Sequence, residues 1–217
     1  HVIQDTDPHP LWCMYMGAGE VQLYLAEFAL LNGGTIGSYI AEDCYYAGVR
    51  ASVEDFNTLA AKNQIPYYGT TYNYDPEEKQ IDLVAGEIEA MLATDNVKFT
   101  GTNEEKFEKI YLQMMMHFSE QPDDQYITAR RTGYPKIGSK LIPWREFVNP
   151  TAVPRRYVIN KPTETDQMKE MKEAAYADQG YKTFGTESGG VFTTNAPLNV
   201  ERVWQDQGAP QWGSGGK

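Results

Sequence analysis

The sequence predicts a mostly α-helical fold that ends in an irregular, proline-rich region. Two stretches, "GEVQLYLAEFALLNGG" and "YIAEDCYYAGVRASVEDFNTLAAKN", repeat apolar residues at helical spacing with a glycine-bearing turn between them. From Gly138 onward that period disappears and prolines accumulate. Apolar residues make up 41% of the 217, enough for a real core and too many for wholesale disorder. The expected organisation is a loop segment over 1–19, a helix hairpin over 20–65 and a helical, loop-rich region over 66–217, all within one larger fold.

In the first helix Val21, Tyr24, Leu25 and Phe28 fall on one face, and Ala26, Ala29 and Leu30 give a second, narrower one. Gly33 and Gly34 stop it. Ser38 is the expected N-cap of the second helix, whose stripe is Tyr45, Val49, Val53, Phe56 and Ala60. The pair has the size of one tetratricopeptide-type unit, and no second copy follows at a fixed period. "QIPYYGTTYNYDPEE" is a loop crowded with tyrosines. Helix resumes over "KQIDLVAGEIEAMLAT", with Ile81, Val84, Ala85, Ile88 and Leu92 on one side. Asn103 is the expected cap of the next helix, lined by Phe107, Ile110, Tyr111, Met114 and Phe118. A short helix over Gln125–Arg131 ends at Gly133 and Pro135. A last helix lies in "TETDQMKEMKEAAYADQG", capped by Thr163 or Thr165 and stopped by Gly180. The remainder is loop, with Trp204 as a core anchor.

A formal net charge of −11 argues against a nucleic-acid partner, since a phosphate backbone would be repelled. No apolar run approaches the ~20 residues of a bilayer-spanning helix. Cys13 and Cys44 have no zinc-type spacing and read as buried thiols. His1 reads as a cut end. A copper brace of His1 with His9 or His117 belongs to β-sandwich enzymes, so the helical pattern sets it aside. No cofactor is expected. Calcium is possible at Asp5 and Asp7 or at Asp123–Asp124, although neither pair sits in a binding-loop pattern.

A catalytic reading would use two of the many carboxylates, of which Glu20, Glu27, Glu42, Asp43, Glu54 and Asp55 lie on the first hairpin alone. Most fall on polar helix faces, where solvation explains them. Sugar-binding proteins stack aromatic rings on pyranose faces and add side-chain hydrogen bonds. The stretch holding Tyr67, Tyr68, Tyr72, Asn73 and Tyr74 has that mixture, and Trp12, Tyr15 and Trp144 are further ligand-binding candidates. The competing explanation is that these rings pack loops onto helices.

The arginine pairs need their own account. Arg130 and Arg131 stand in "ITARRTGYPK", Arg155 and Arg156 in "VPRRYVIN". A guanidinium offers five donors in a planar fork and stays charged. We read these four as clamps that pin the proline-rich loop by polar contacts, because that loop has little apolar surface to bury. An anion site is the alternative.

The order "GEVQLYLAEFAL", "YYAGVRASVEDF", "KIYLQMMMHF", "ARRTGYPK", "VPRRYVINKPTE", "RVWQD" resembles the C-terminal half of SusD/RagB proteins, from about Glu20 to Asp206. The resemblance implies a cell-surface, lipid-anchored outer-membrane protein that captures oligosaccharide or peptide nutrient and hands it to a TonB-dependent, SusC-like transporter. It also implies that the first half of the same protein, with its lipidated cysteine, lies outside this chain. It points to binding and not to an enzyme. A helical glycoside hydrolase and a helix-pair docking scaffold are the alternatives.

Overall fold

The computed structural model describes residues 12–63, 83–136, 138–139, 141, 156, 159–182, 184 and 201–210. Among them are six α-helices and one short β-hairpin, so the mostly α expectation holds. By contacts the chain divides into two compact units, His1–Pro122 and Asp123–Lys217.

The first unit is built on α1 (Ala18–Leu31) and α2 (Ala41–Lys62), which lie antiparallel. The glycine stop acts as expected. The Gly34 N–H donates to the Ala29 carbonyl at 2.8 Å and the Gly33 N–H to the Leu30 carbonyl at 3.3 Å, closing the last turn of α1. Ser38 does not cap α2. It sits in the turn of a hairpin of β1 (Thr35–Ile36) and β2 (Tyr39–Ile40), and Ile40 precedes α2 without a side-chain cap.

The buried face of α1 is the narrow one. Gly19 and Leu23 face α2 and Ala26, Ala29 and Leu30 are buried with them, whereas Val21 and Phe28 are each 47% exposed. Small side chains decide this, because they let the two backbones approach. A Cβ on Gly19 would lie 2.8 Å from the Ser52 backbone nitrogen, and one on Gly48 2.8 Å from Leu23 Cγ. On α2 the buried residues are Ala41, Cys44, Tyr45, Gly48 and Val49, while the stripe weakens at Val53, Phe56 and Ala60, which are half-buried.

α3 (Glu87–Leu92) is shorter than its periodicity suggests. Gly86 adopts a left-handed φ of 84° immediately before it, and Val84 is exposed. α4 (Asn103–His117) is capped by Thr102 and not by Asn103. The Glu105 N–H donates to the Thr102 hydroxyl while the Glu105 carboxylate accepts the Thr102 N–H, a complete capping box. Phe107, Ile110, Tyr111 and Met114 on α4, with Phe118 in the 3-10 turn Phe118–Glu120, are buried as the stripe requires.

In the second unit α5 (Pro122–Thr132) is longer than expected and stops at Gly133, φ 79°. α6 (Lys169–Asp178) starts later than expected. Its entry is bonded by Asp166, whose Oδ1 accepts the Met168 N–H at 2.9 Å, and not by Thr163 or Thr165. Gly180, φ 72°, ends it, and the Tyr181 N–H returns to the Tyr176 carbonyl. Trp204 is not a core anchor. It is 74% exposed in the 3-10 turn Trp204–Asp206, and Asp206 is the buried residue there. The thiols also divide, Cys44 buried and Cys13 exposed.

Candidate functional site

Trp12 is fixed at the C-terminal end of α2. Its N–H donates to Asn63 Oδ1 and its carbonyl accepts from Asn63 Nδ2, both at 2.7 Å. The Lys62 ammonium lies 4.8 Å from the centre of its ring, and about half of the residue is exposed. Tyr15 projects into solvent, 91% exposed, while the Met14 and Tyr15 carbonyls accept from the Gln121 side-chain amide. Tyr67, Tyr68, Tyr72, Asn73, Tyr74, Trp144 and Arg155 lie outside the described residues, as do Asp5 and Asp7. Asn63, which holds Trp12, is the last described residue before the tyrosine-rich stretch.

Arg130 and Arg156 each reach a carboxylate. Arg130 Nε donates to Asp206 Oδ1 at 3.3 Å, and its Nη1 donates to the Tyr126 hydroxyl at 2.9 Å. Arg202 adds bonds to the Asp206 and Ala209 carbonyls. Asp206 therefore has arginines on two sides. "RVWQD" carries that Arg–Asp spacing of four in plain view, a signal the sequence reading passed over. Arg156 is buried, its guanidinium pairs with Glu201, and it lies over the Tyr181 ring at 4.4 Å. Arg131 is half-buried.

The acidic residues of the first hairpin are not uniformly solvated. Glu42, Asp43 and Glu54 are exposed, but Glu27 is fully buried and accepts from the Tyr111 hydroxyl at 2.7 Å. Sequence reasoning also missed a Ser–His contact. The Ser52 hydroxyl and His117 Nδ1 are 2.8 Å apart, and Asp55 stands near the ring. His117 is buried, and its Nε2 has no hydrogen-bond partner among the described residues. With His117 buried and Ser52 half-buried, this contact ties α2 to α4. Among the described residues no three of His, Cys, Asp or Glu cluster as a metal site, which leaves Asp123–Asp124 without a third ligand there. No described helix is long and apolar enough to cross a membrane.

Burial lowers the pKa of His117 from the usual 6.5, with Asp55 opposing in part. A group whose folded pKa is depressed contributes stability above its unfolded pKa, and that stability is lost as pH falls through the folded value. The denaturation midpoint is therefore expected to drop as pH falls from about 6.5, and His117→Gln to flatten that part of the profile. Urea titrations of both proteins between neutral and mildly acidic pH check this, and parallel profiles would reject it.

Three comparisons with known proteins bear on identity. A family model described as SusD-like, the Susd and RagB outer membrane lipoproteins, matches residues 3–187. A solved structure described as "Bacteroidetes AC2a SusD-like" is similar over 76% of this chain, at 20% identity and a TM-score of 0.49. This chain spans 28% of that protein's length. No curated protein sequence matches. With most of its length matched, the chain belongs to the SusD/RagB family of outer-membrane lipoproteins.

Proposed function

We propose that the chain is part of a cell-surface, lipid-anchored binding protein that captures an oligosaccharide without cleaving it and passes it to a TonB-dependent, SusC-like transporter. The family match over residues 3–187 carries this reading. The proposed contacts are the rings of Tyr67, Tyr68, Tyr72 and Tyr74, with Asn73 supplying hydrogen bonds and Trp12, Tyr15 and Trp144 as further rings. A flat ring covers the C–H face of a pyranose, and the phenol hydroxyl adds one hydrogen bond at its edge. The two bonds between the Trp12 backbone and Asn63 support the choice, because they hold Trp12, about half exposed, at the residue just before the tyrosine-rich stretch. Capture of this kind calls for no cofactor.

Calorimetric titration with a panel of oligosaccharides, and with peptides of similar length, tests the proposal. Binding of one glycan without release of reducing sugar is expected. Alanine at Tyr67, Tyr68, Tyr72 or Tyr74 is expected to weaken it by about tenfold, or ~1.4 kcal/mol, and phenylalanine by less. Peptide binding alone would replace the ligand class. Full affinity in all four alanine variants would move the site elsewhere. Co-purification with the transporter from outer membranes tests the hand-over separately.

A further inference from the structure

A cleft of about 280 Å³ opens on the first unit, and its lining among the described residues includes neither Trp12 nor Tyr15. Tyr46 and Arg50 line it from α2, Glu89 and Leu92 from α3, and Ala93 and Lys98 from the turn after α3.

That turn is held from both sides. The Tyr45 hydroxyl donates to the Val97 carbonyl at 2.8 Å, and the Phe99 N–H donates to the Tyr46 hydroxyl at 2.9 Å. Phe99 is buried and stacks on Tyr45 with ring centres 4.7 Å apart. From α4 the Lys109 ammonium donates to the carbonyls of Asp95, Lys98 and Thr100. Both neighbours of Lys98 and its own carbonyl are thereby fixed. Its exposed side chain makes no ion pair among the described residues.

Arg50 also keeps donors in reserve. Its guanidinium forks onto Glu89, with Nη2 donating to Oε2 at 3.0 Å, which engages two of its five N–H groups. The cleft thus sets two positive charges against one negative charge, in a chain of formal net charge −11. Leu92, Ala93 and the Tyr46 ring supply the apolar part of its lining. Its volume lies just below the roughly 300 Å³ at which ligand pockets begin, so the occupant is small.

We propose that this cleft binds a carboxylate-bearing sugar of single-residue size, a uronate. The carboxylate takes Lys98 and the remaining Arg50 donors, a hydroxyl donates to Glu89, and the carbon face lies against Tyr46 and Leu92. Such a ligand uses every group in the lining, whereas a bare phosphate uses only the cations. The proposal does not rest on the capture reading: a neutral glycan bound through the tyrosine-rich stretch, or no such binding at all, leaves it intact.

Amide NMR titrations of the full chain with glucuronate, glucose and inorganic phosphate test it. Glucuronate is expected to shift the amides of Glu89, Ala93 and Lys98, less so as salt is raised, and glucose to leave them in place. Lys98→Gln is expected to weaken glucuronate about tenfold, on the scale of one charge-assisted hydrogen bond. Glu89→Gln frees Arg50 and is expected to tighten it. Lys172→Gln, whose ammonium pairs with Asp166 and does not line the cleft, is expected to change nothing. The spectra also report whether each variant is folded. Absent shifts at the cleft, equal shifts with phosphate, or unchanged affinity in Lys98→Gln would each overturn the proposal.

Discussion

Arg156→Ala is expected to lower the unfolding free energy by about 3–5 kcal/mol, the scale for breaking a buried ion pair from one side. The Arg156 and Glu201 side chains are 2% and 11% exposed. Removing the guanidinium takes the Arg156 charge away from the Glu201 carboxylate where water barely reaches it, and also uncovers the Tyr181 face. Arg156→Lys keeps the charge but loses the planar fork and the flat stacking surface. It is expected to cost about 1.5–3 kcal/mol, the worth of a hydrogen bond to a charged group. The double change Arg156→Met with Glu201→Leu removes both charges and fills their volume, so it is expected to cost far less than either single truncation. Urea midpoints at unchanged m-values measure all three. A midpoint for Arg156→Ala within error of the parent would sink the clamp.

The helices were legible because their signals are local. Apolar stripes at 3.6-residue spacing and glycines at positive φ act within a few residues of one chain segment, and they place α1, α2 and α4 correctly. The buried side of α1 was not legible in the same way. α1 is apolar around most of its circumference, so its period offers two faces, and only the partner chooses. Gly48 beneath Leu23 and Ser52 against Gly19 make that choice, through contacts between residues far apart in sequence. The capping box was readable and missed: Thr102 and Glu105 form its spacing one position before the residue chosen.

Polar residues were the hardest to place, for a related reason. Glu27 reads as a solvated carboxylate until Tyr111, 84 residues later, supplies its donor. Ser52 and His117, 65 residues apart, are brought together only by the packing of α2 on α4. The bulk of Trp204 suggested an anchor, yet Asp206 is the residue that is buried, held by Arg130 and Arg202. Burial of a charged group depends on distant partners, and periodicity carries no information about them.

Lys109→Met is expected to cost about 3 kcal/mol, through the loss of three bonds from one ammonium to backbone carbonyls at roughly 1 kcal/mol each. Lys109 is 7% exposed. Its ammonium reaches the Asp95, Lys98 and Thr100 carbonyls at 3.1, 2.6 and 3.2 Å, one acceptor for each of its N–H groups. Methionine keeps an unbranched apolar stem of similar length, so packing along α4 is preserved and the loss isolates the charge-assisted bonds. Arginine would not substitute, because a planar fork cannot meet three carbonyls that converge on a point. Lys106→Met is the matched control, one turn earlier on α4. There the ammonium lies 5.4 Å from the centre of the Phe99 ring, and its removal is expected to cost about 0.5–1 kcal/mol. Urea midpoints give the two costs, and amide exchange locates them. In Lys109→Met the Thr100 N–H, bonded to the Lys98 carbonyl at 2.8 Å, is expected to lose protection, as is the Phe99 N–H. Protection lost evenly over α4 would mean that the helix and not the turn had been weakened. Equal midpoints for the two methionine variants would mean that the turn holds its shape without the lysine, through the two tyrosine hydroxyls of α2, the buried Phe99 ring and its own backbone bonds.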